Sequence, residues 1–220
     1  MSTVLDAPEQ STRKEPAVQK VILYDISWET YERLLAEHGA HAGTRFFYDC
    51  GALEIMSPLI IHERINRRLA TLFETIAEER GVDFDSIGSS TFRREDLKKG
   101  FEPDSCFYIT NLERVREKAQ INLRIDPPPD LIIEVDITSP SLPRFPIFAA
   151  VGVPEVWRYD GARVRVFALS SGEYVEQSES ASLPAVTGDV LTDFLAKSKT
   201  IKRAAWLHGV REWAQNTLSK

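Results

Sequence analysis

Leu131-Ile132-Ile133-Glu134-Val135-Asp136-Ile137-Thr138 is the stretch on which the reading of this chain turns. It is short, apolar and rich in β-branched residues, with Pro127-Pro128-Pro129 before it and Ser139-Pro140 after it. That combination predicts a buried strand rather than a helix. Successive side chains on a strand face opposite ways, so Leu131, Ile133, Val135 and Ile137 form one apolar face. Ile132, Glu134 and Asp136 share the other. A carboxylate in such surroundings is costly unless it is paired, hydrogen-bonded or bound to a cation. Two readings of this acidic face stand open: the polar outer side of an edge strand, or a metal site.

Working outward, the nearest upstream acid at the head of a predicted strand is Asp104, in Phe101–Ile109, where Pro103 is tolerated because an initial residue can lack an N–H. Downstream, Arg144 follows after a loop, in the short amphipathic segment Leu142–Val151. Hard divalent ions such as magnesium take carboxylate oxygens and waters from one or two fixed acids. Such an ion polarises a phosphoryl oxygen and activates water, and a fixed cation nearby stabilises the charge of the transition state. Asp104, Glu134, Asp136 and Arg144 are residues of the right kind for that chemistry. So are any two acids on neighbouring strands, and residue type alone leaves the matter open.

The rest of the chain frames this centre. Residues 1–20, polar and carrying Pro8 and Pro16, read as a disordered tail ahead of a single domain over 21–220. Ser27 caps a helix that runs to His38 and stops at Gly39. Arg45–Met56 reads as a hairpin turning at Asp49-Cys50-Gly51. After Pro58, Ile61, Ile65, Leu69, Leu72, Phe73 and Ile76 form one stripe of a helix closed by Gly81. His62, Glu63, Arg64, Arg67 and Arg68 are assigned to its opposite face. The three arginines, with Arg93 and Arg94 further on, are a candidate phosphate-contacting patch for nucleic acid; the plainer reading is a solvated face. Strand-like segments at Val82–Ile87 and Ser90–Arg94, a charged loop at Glu95–Gly100 and a short helix at Asn111–Gln120 lead to the central run. Beyond it come a hairpin about Asp160-Gly161, a third strand near Glu173–Glu176, and helices at Asp189–Lys197 and Ile201–Leu218. Trp206, Val210 and Trp213 form a stripe on the last helix that fits core or a homodimer face.

Composition sets limits. A chain of 220 residues with 43% hydrophobic and 27% charged residues can bury a substantial core. Its net charge of −6 argues against holding nucleic acid by bulk positive charge, but leaves room for a local basic rim. No apolar run approaches the roughly 18 residues of a membrane span. Two cysteines and no apolar leader fit a reducing cytoplasm. Four histidines without an HxH or HExxH pattern argue against a histidine metal site.

Several of these stretches, taken in order, resemble the Uma family of restriction-endonuclease-like proteins, within the PD-(D/E)XK nuclease superfamily. They are Leu53-Glu54-Ile55-Met56-Ser57-Pro58 with His62 beyond it, Glu102-Pro103-Asp104, Pro129-Asp130-Leu131-Ile132-Ile133-Glu134-Val135, Thr138-Ser139-Pro140-Ser141, and Gly152-Val153-Pro154-Glu155-Val156-Trp157-Arg158-Tyr159-Asp160. The resemblance spans roughly Trp28 to Phe167. It implies an α/β restriction-endonuclease-like core, a mixed central sheet flanked by helices with an antiparallel β extension, and magnesium- or manganese-dependent cleavage of DNA. Asp104 matches the aspartate of the PD element and Glu134 the acid of the (D/E)XK element, both as metal ligands; Asp136, on the same strand face as Glu134, is the candidate to join them directly or through water. The lysine two residues after that acid is absent, Asp136 standing there, and Arg144 holds the position to which the family's lysine is displaced. The further helix acid of the superfamily would be Glu63, with Glu54 the alternative. The resemblance therefore implies a metal-dependent endonuclease acting on DNA. The other outcome to weigh is a catalytically weakened nuclease fold serving as a nucleic-acid-binding or assembly module.

Overall fold

Short alternating strands dominate both halves of the chain, and they assemble into two sheets. The computed structural model describes residues 19–39, 43–137 and 141–218. In chain order the elements are β1 (Gln19–Leu23), α1 (Trp28–His38), β2 (Arg45–Asp49), β3 (Ala52–Ser57), α2 (Ile60–Glu79), β4 (Asp85–Ser86), β5 (Phe92–Arg94), β6 (Lys99–Phe101), β7 (Ser105–Tyr108), α3 (Leu112–Val115), β8 (Leu131–Val135), α4 (Arg144–Val151), β9 (Glu155–Tyr159), β10 (Val164–Ser170), β11 (Glu173–Gln177), α5 (Gly188–Lys197) and α6 (Arg203–Leu218). One sheet is antiparallel in the order β1-β3-β2-β6-β5. The other runs β11-β10-β9-β8-β7-β4 and is mixed, because β8 and β9 pair in parallel. This is the expected α/β architecture, a mixed sheet flanked by helices and accompanied by an antiparallel one.

β8 lies between β7 and β9, so the edge-strand reading of its acidic face does not hold. Its alternation sorts residues between two cores. Leu131, Ile133 and Val135 pack with Leu69, Phe73 and Ile76 of α2 and with residues of α5 and α6. Ile132 faces the opposite way and packs between the sheets, with Phe47, Phe101, Phe148 and Val156. Burying each such side chain contributes about 1.5–3 kcal/mol. α1 covers the outer face of the five-stranded sheet through Trp28 and Tyr31, with Ser27 Oγ accepting the Thr30 N–H at its start.

The inner face of that sheet follows from register. Lys20 and Arg45 both pair with Met56, and Ile22 and Phe47 both pair with Glu54. Cross-strand partners share a face, so three charged residues, Lys20, Arg45 and Glu54, point toward the six-stranded sheet. The chain crosses from β6 to β7 through Glu102-Pro103-Asp104 alone, which puts Asp104 at the corner where one sheet hands over to the other.

Several sequence expectations are corrected. Gln19 and Lys20, assigned to the tail, belong to β1, while residues 1–18 lie outside the described residues, as does Thr138-Ser139-Pro140. Of Val82–Ile87 only Asp85 and Ser86 form a strand, paired to β7. The charged loop at Glu95–Gly100 is a 3-10 turn over Glu95–Leu97 followed by β6. Gly100 is required there because a Cβ would run into the Tyr31 hydroxyl. The helix predicted over Asn111–Gln120 is only Leu112–Val115. On α2, Ile61 is 43% exposed and His62 only 3%, so His62 replaces Ile61 in the buried stripe. Trp206 and Val210 are core residues packed with α2 and α5. Among the described residues no helix is long and apolar enough to cross a membrane.

Candidate active site

Continuing the β7–β8 register by one residue sets Asp104 opposite Glu134. The Asp104 N–H donates to Glu134 Oε1 at 3.3 Å, and the Val135 N–H donates to Asp104 Oδ2 at 2.7 Å. Both acids are nearly sealed from solvent, at 4% and 6% exposure. α2 holds the corner in place. Asn66 Nδ2 donates to the Asp104 carbonyl at 2.8 Å, and Ser105 Oγ donates to Asn66 Oδ1 at 2.8 Å. His62 Nε2 stands 3.3 Å from Asp104 Oδ2. Burial, helped by the Arg45 charge, draws this histidine down to about 4, so near neutrality it is uncharged.

Charged residues of the inner sheet face complete the cluster. Arg45 pairs with Asp104 and donates to Glu63 Oε1 at 2.5 Å. Glu63 is thus joined to the acid pair through Arg45, with its own side chain 42% exposed. Glu54 is fully buried. It accepts from Arg144 Nη2 at 2.5 Å and from the Leu142 N–H at 2.7 Å. Arg144 also stacks on Phe47, 3.0 Å from its ring centre. Lys20 Nζ donates to Ser141 Oγ at 2.6 Å, and burial lowers its pKa against the pull of Glu54 and Asp136. Arg158, the cross-strand partner of Glu134, reaches Asp136 Oδ2 at 2.5 Å.

A cleft of about 410 Å³ opens on Glu134, Asp136, Ser141, Arg144 and Arg158. Burial pushes the Glu134 carboxyl up to about 7, against the opposing pull of Arg144 and Arg45. Such a group wants either a proton or a cation beside it. Among the described residues no three His, Cys, Asp or Glu side chains are gathered to hold a metal ion. Asp104 and Glu134 stand together, but Asp136 turns to Arg158. Two adjacent carboxylates still fit the donor chemistry of magnesium, which takes one or two acids and fills its remaining positions with water or substrate oxygens. Arg45 occupies one side of Asp104.

The arginines predicted to contact nucleic acid lie on two elements. Arg64 and Arg67 are exposed on α2 and Arg68 is half-buried beside them. On β5, Arg94 is held by both Asp96 carboxylate oxygens and by the Leu123 carbonyl. Arg93, 3.6 Å from Glu32, borders a hollow of about 1080 Å³ that Arg45 and Glu63 also line.

Arg45, His62, Lys20 and Arg158 join the site without having been assigned to it from sequence. Their signals were present. Arg45 alternates with Phe47 on a strand, and a charged residue in phase with a core aromatic faces inward. His62 falls at helical spacing with Ile65, Asn66 and Leu69.

Buried acids paired across two strands, flanked by arginines in a cleft walled by β8, β9 and the start of α4, define an α/β protein with a polar, highly charged centre. Residues 28–195 match the Uma2 family, described as "Putative restriction endonuclease", and the chain belongs to that family. Among solved structures it is similar to one titled "Crystal structure of a putative nuclease belonging to DUF820 from Anabaena variabilis ATCC 29413". That match has 18% identity and a TM-score of 0.48, and covers 68% of this chain and 90% of the other. No curated protein matches.

Proposed function

We propose that this chain is a divalent-metal-dependent endonuclease that hydrolyses phosphodiester bonds in DNA. The observation that carries the reading is the pairing of Asp104 with Glu134 beside a cleft walled by Arg144 and Arg158. Asp104 and Glu134 would hold magnesium or manganese, with Asp136 at the cleft wall. When bound, the ion supplies Lewis-acid polarisation of the phosphoryl oxygen and a more acidic water. His62 and the Val135 N–H fix the Asp104 carboxylate. Arg144 is pinned by Glu54 and by the face of Phe47. A guanidinium keeps its proton at any working pH, so its part is electrostatic, offsetting charge on the phosphate rather than removing a proton. Glu63 acts through Arg45, and Arg64, Arg67, Arg68 and Arg93 add phosphate contacts that position the duplex without reading its bases.

One observation favours a second reading, a weakened nuclease fold that binds nucleic acid without cutting it. Arg45 already neutralises Asp104, and arginine stands where the family's lysine is displaced. Plasmid nicking in magnesium and in manganese separates the two. Wild type should nick only with a divalent ion, and Asp104→Ala and Glu134→Ala should each lose at least about a hundredfold in rate. Equal nicking by all three would remove the acid pair from the mechanism. Binding without nicking would establish the second reading.

A further inference from the structure

Lys20 lies outside residues 28–195, the region matched to the family, yet its side chain reaches the wall of the cleft. β1 carries it there. Paired with β3, it sets Lys20 opposite Met56, whose sulfur lies 3.7 Å from Arg144 Nη2. Lys20 lies close enough to Arg144 for that cation to disfavour its charge, while Glu54 and Asp136 favour it. Arg144 commits Nη2 to Glu54, while its Nη1 is buried and has no hydrogen-bond partner among the described residues. A buried guanidinium nitrogen without an acceptor, next to a second cation, is a place for an anion. The cleft beside it is lined by Ser141, to which Lys20 donates, and by Arg158.

We propose that Lys20 and Arg144 together hold a phosphate group of the substrate, so that a strand outside the family's shared region completes the substrate site. Arg144 Nη1 and Lys20 Nζ each donate to a non-bridging phosphate oxygen. Ser141 keeps the lysine turned toward the cleft. The inference deepens the nuclease reading, naming the group that the same cleft holds.

The test compares the full-length wild type with Lys20→Met, Lys20→Arg and Asp104→Ala. Calorimetry measures inorganic phosphate binding. Fluorescence anisotropy follows a short labelled DNA duplex over a range of salt in EDTA, and cleavage is followed in manganese. Lys20→Met should weaken phosphate binding about tenfold. It should reduce the salt slope on DNA by about 0.9, the loss of one contact, and raise KM more than it lowers kcat. Lys20→Arg should restore the slope. A lysine that merely pinned Ser141 would change the melting temperature and leave the slope alone. Unchanged phosphate affinity and slope in Lys20→Met, or a wild type that binds no phosphate, would overturn the inference. The nuclease reading would survive that result if metal-dependent cleavage were still lost in Asp104→Ala. Conversely, phosphate binding lost in Lys20→Met, in a protein that cuts no DNA with either metal, would keep the subsite and overturn the nuclease. Where Lys20→Met does not fold, Lys20→Gln gives the same readings.

Discussion

Glu134 and His62 are displaced in opposite directions by the same burial, and their effects on stability oppose each other. The carboxyl, raised to about 7 from 4.5, contributes stability that is complete below about 4.5 and lost as pH rises through about 7. The imidazole, lowered to about 4 from 6.5, contributes above about 6.5 and loses its contribution as pH falls through about 4. Glu134→Gln keeps the shape and removes one titration. Its stability relative to wild type should therefore improve between pH 4.5 and pH 8 by on the order of 2–3 kcal/mol. Urea midpoints across that range measure it. Parallel profiles would mean that Glu134 holds no proton in the folded protein.

At the scale of elements, periodicity made much of the fold legible. β8, the β2–β3 hairpin, α2 and the C-terminal helices follow from spacing of two or 3.6 residues and from turn chemistry. Short segments failed where tertiary pairing decided the outcome. β6 forms from a charged stretch because β2 and β5 are there to pair with it. Asp104 and Glu134 were legible as candidates, but the partners of the site were not. Glu54 and Arg144 stand 90 positions apart, and a local period tells which way a side chain faces, never what it will meet. Their ion pair makes a prediction at this scale. Arg144→Ala should cost about 3–5 kcal/mol, because it removes the ion-pair partner of a fully buried carboxylate. Adding Glu54→Leu to an Arg144→Met variant should return stability to wild type or above. Denaturant unfolding of single and double variants decides it, and additive losses would rule out a buried pair.

For the molecule as a whole, the two cores have different duties. The core of α2, α5 and α6 against the six-stranded sheet supports the fold from the side away from the cleft, whereas the core between the sheets underlies the site. Trp206, 3% exposed in the first core, should cost about 3–5 kcal/mol when changed to alanine. The salt slope of DNA binding should be unaltered at temperatures where Trp206→Ala stays folded; a changed slope would mean that the two cores are not separable. The corner between β6 and β7 carries a different consequence. Glu102-Pro103-Asp104 is both the shortest route between the sheets and the mount for one of the paired acids. An inserted or deleted residue, harmless in most surface loops, would here turn Asp104 out of phase with Glu134. The length of this one connection and the pairing of the two acids are therefore set together, and a chain with altered spacing between these strands would lose the acid pair.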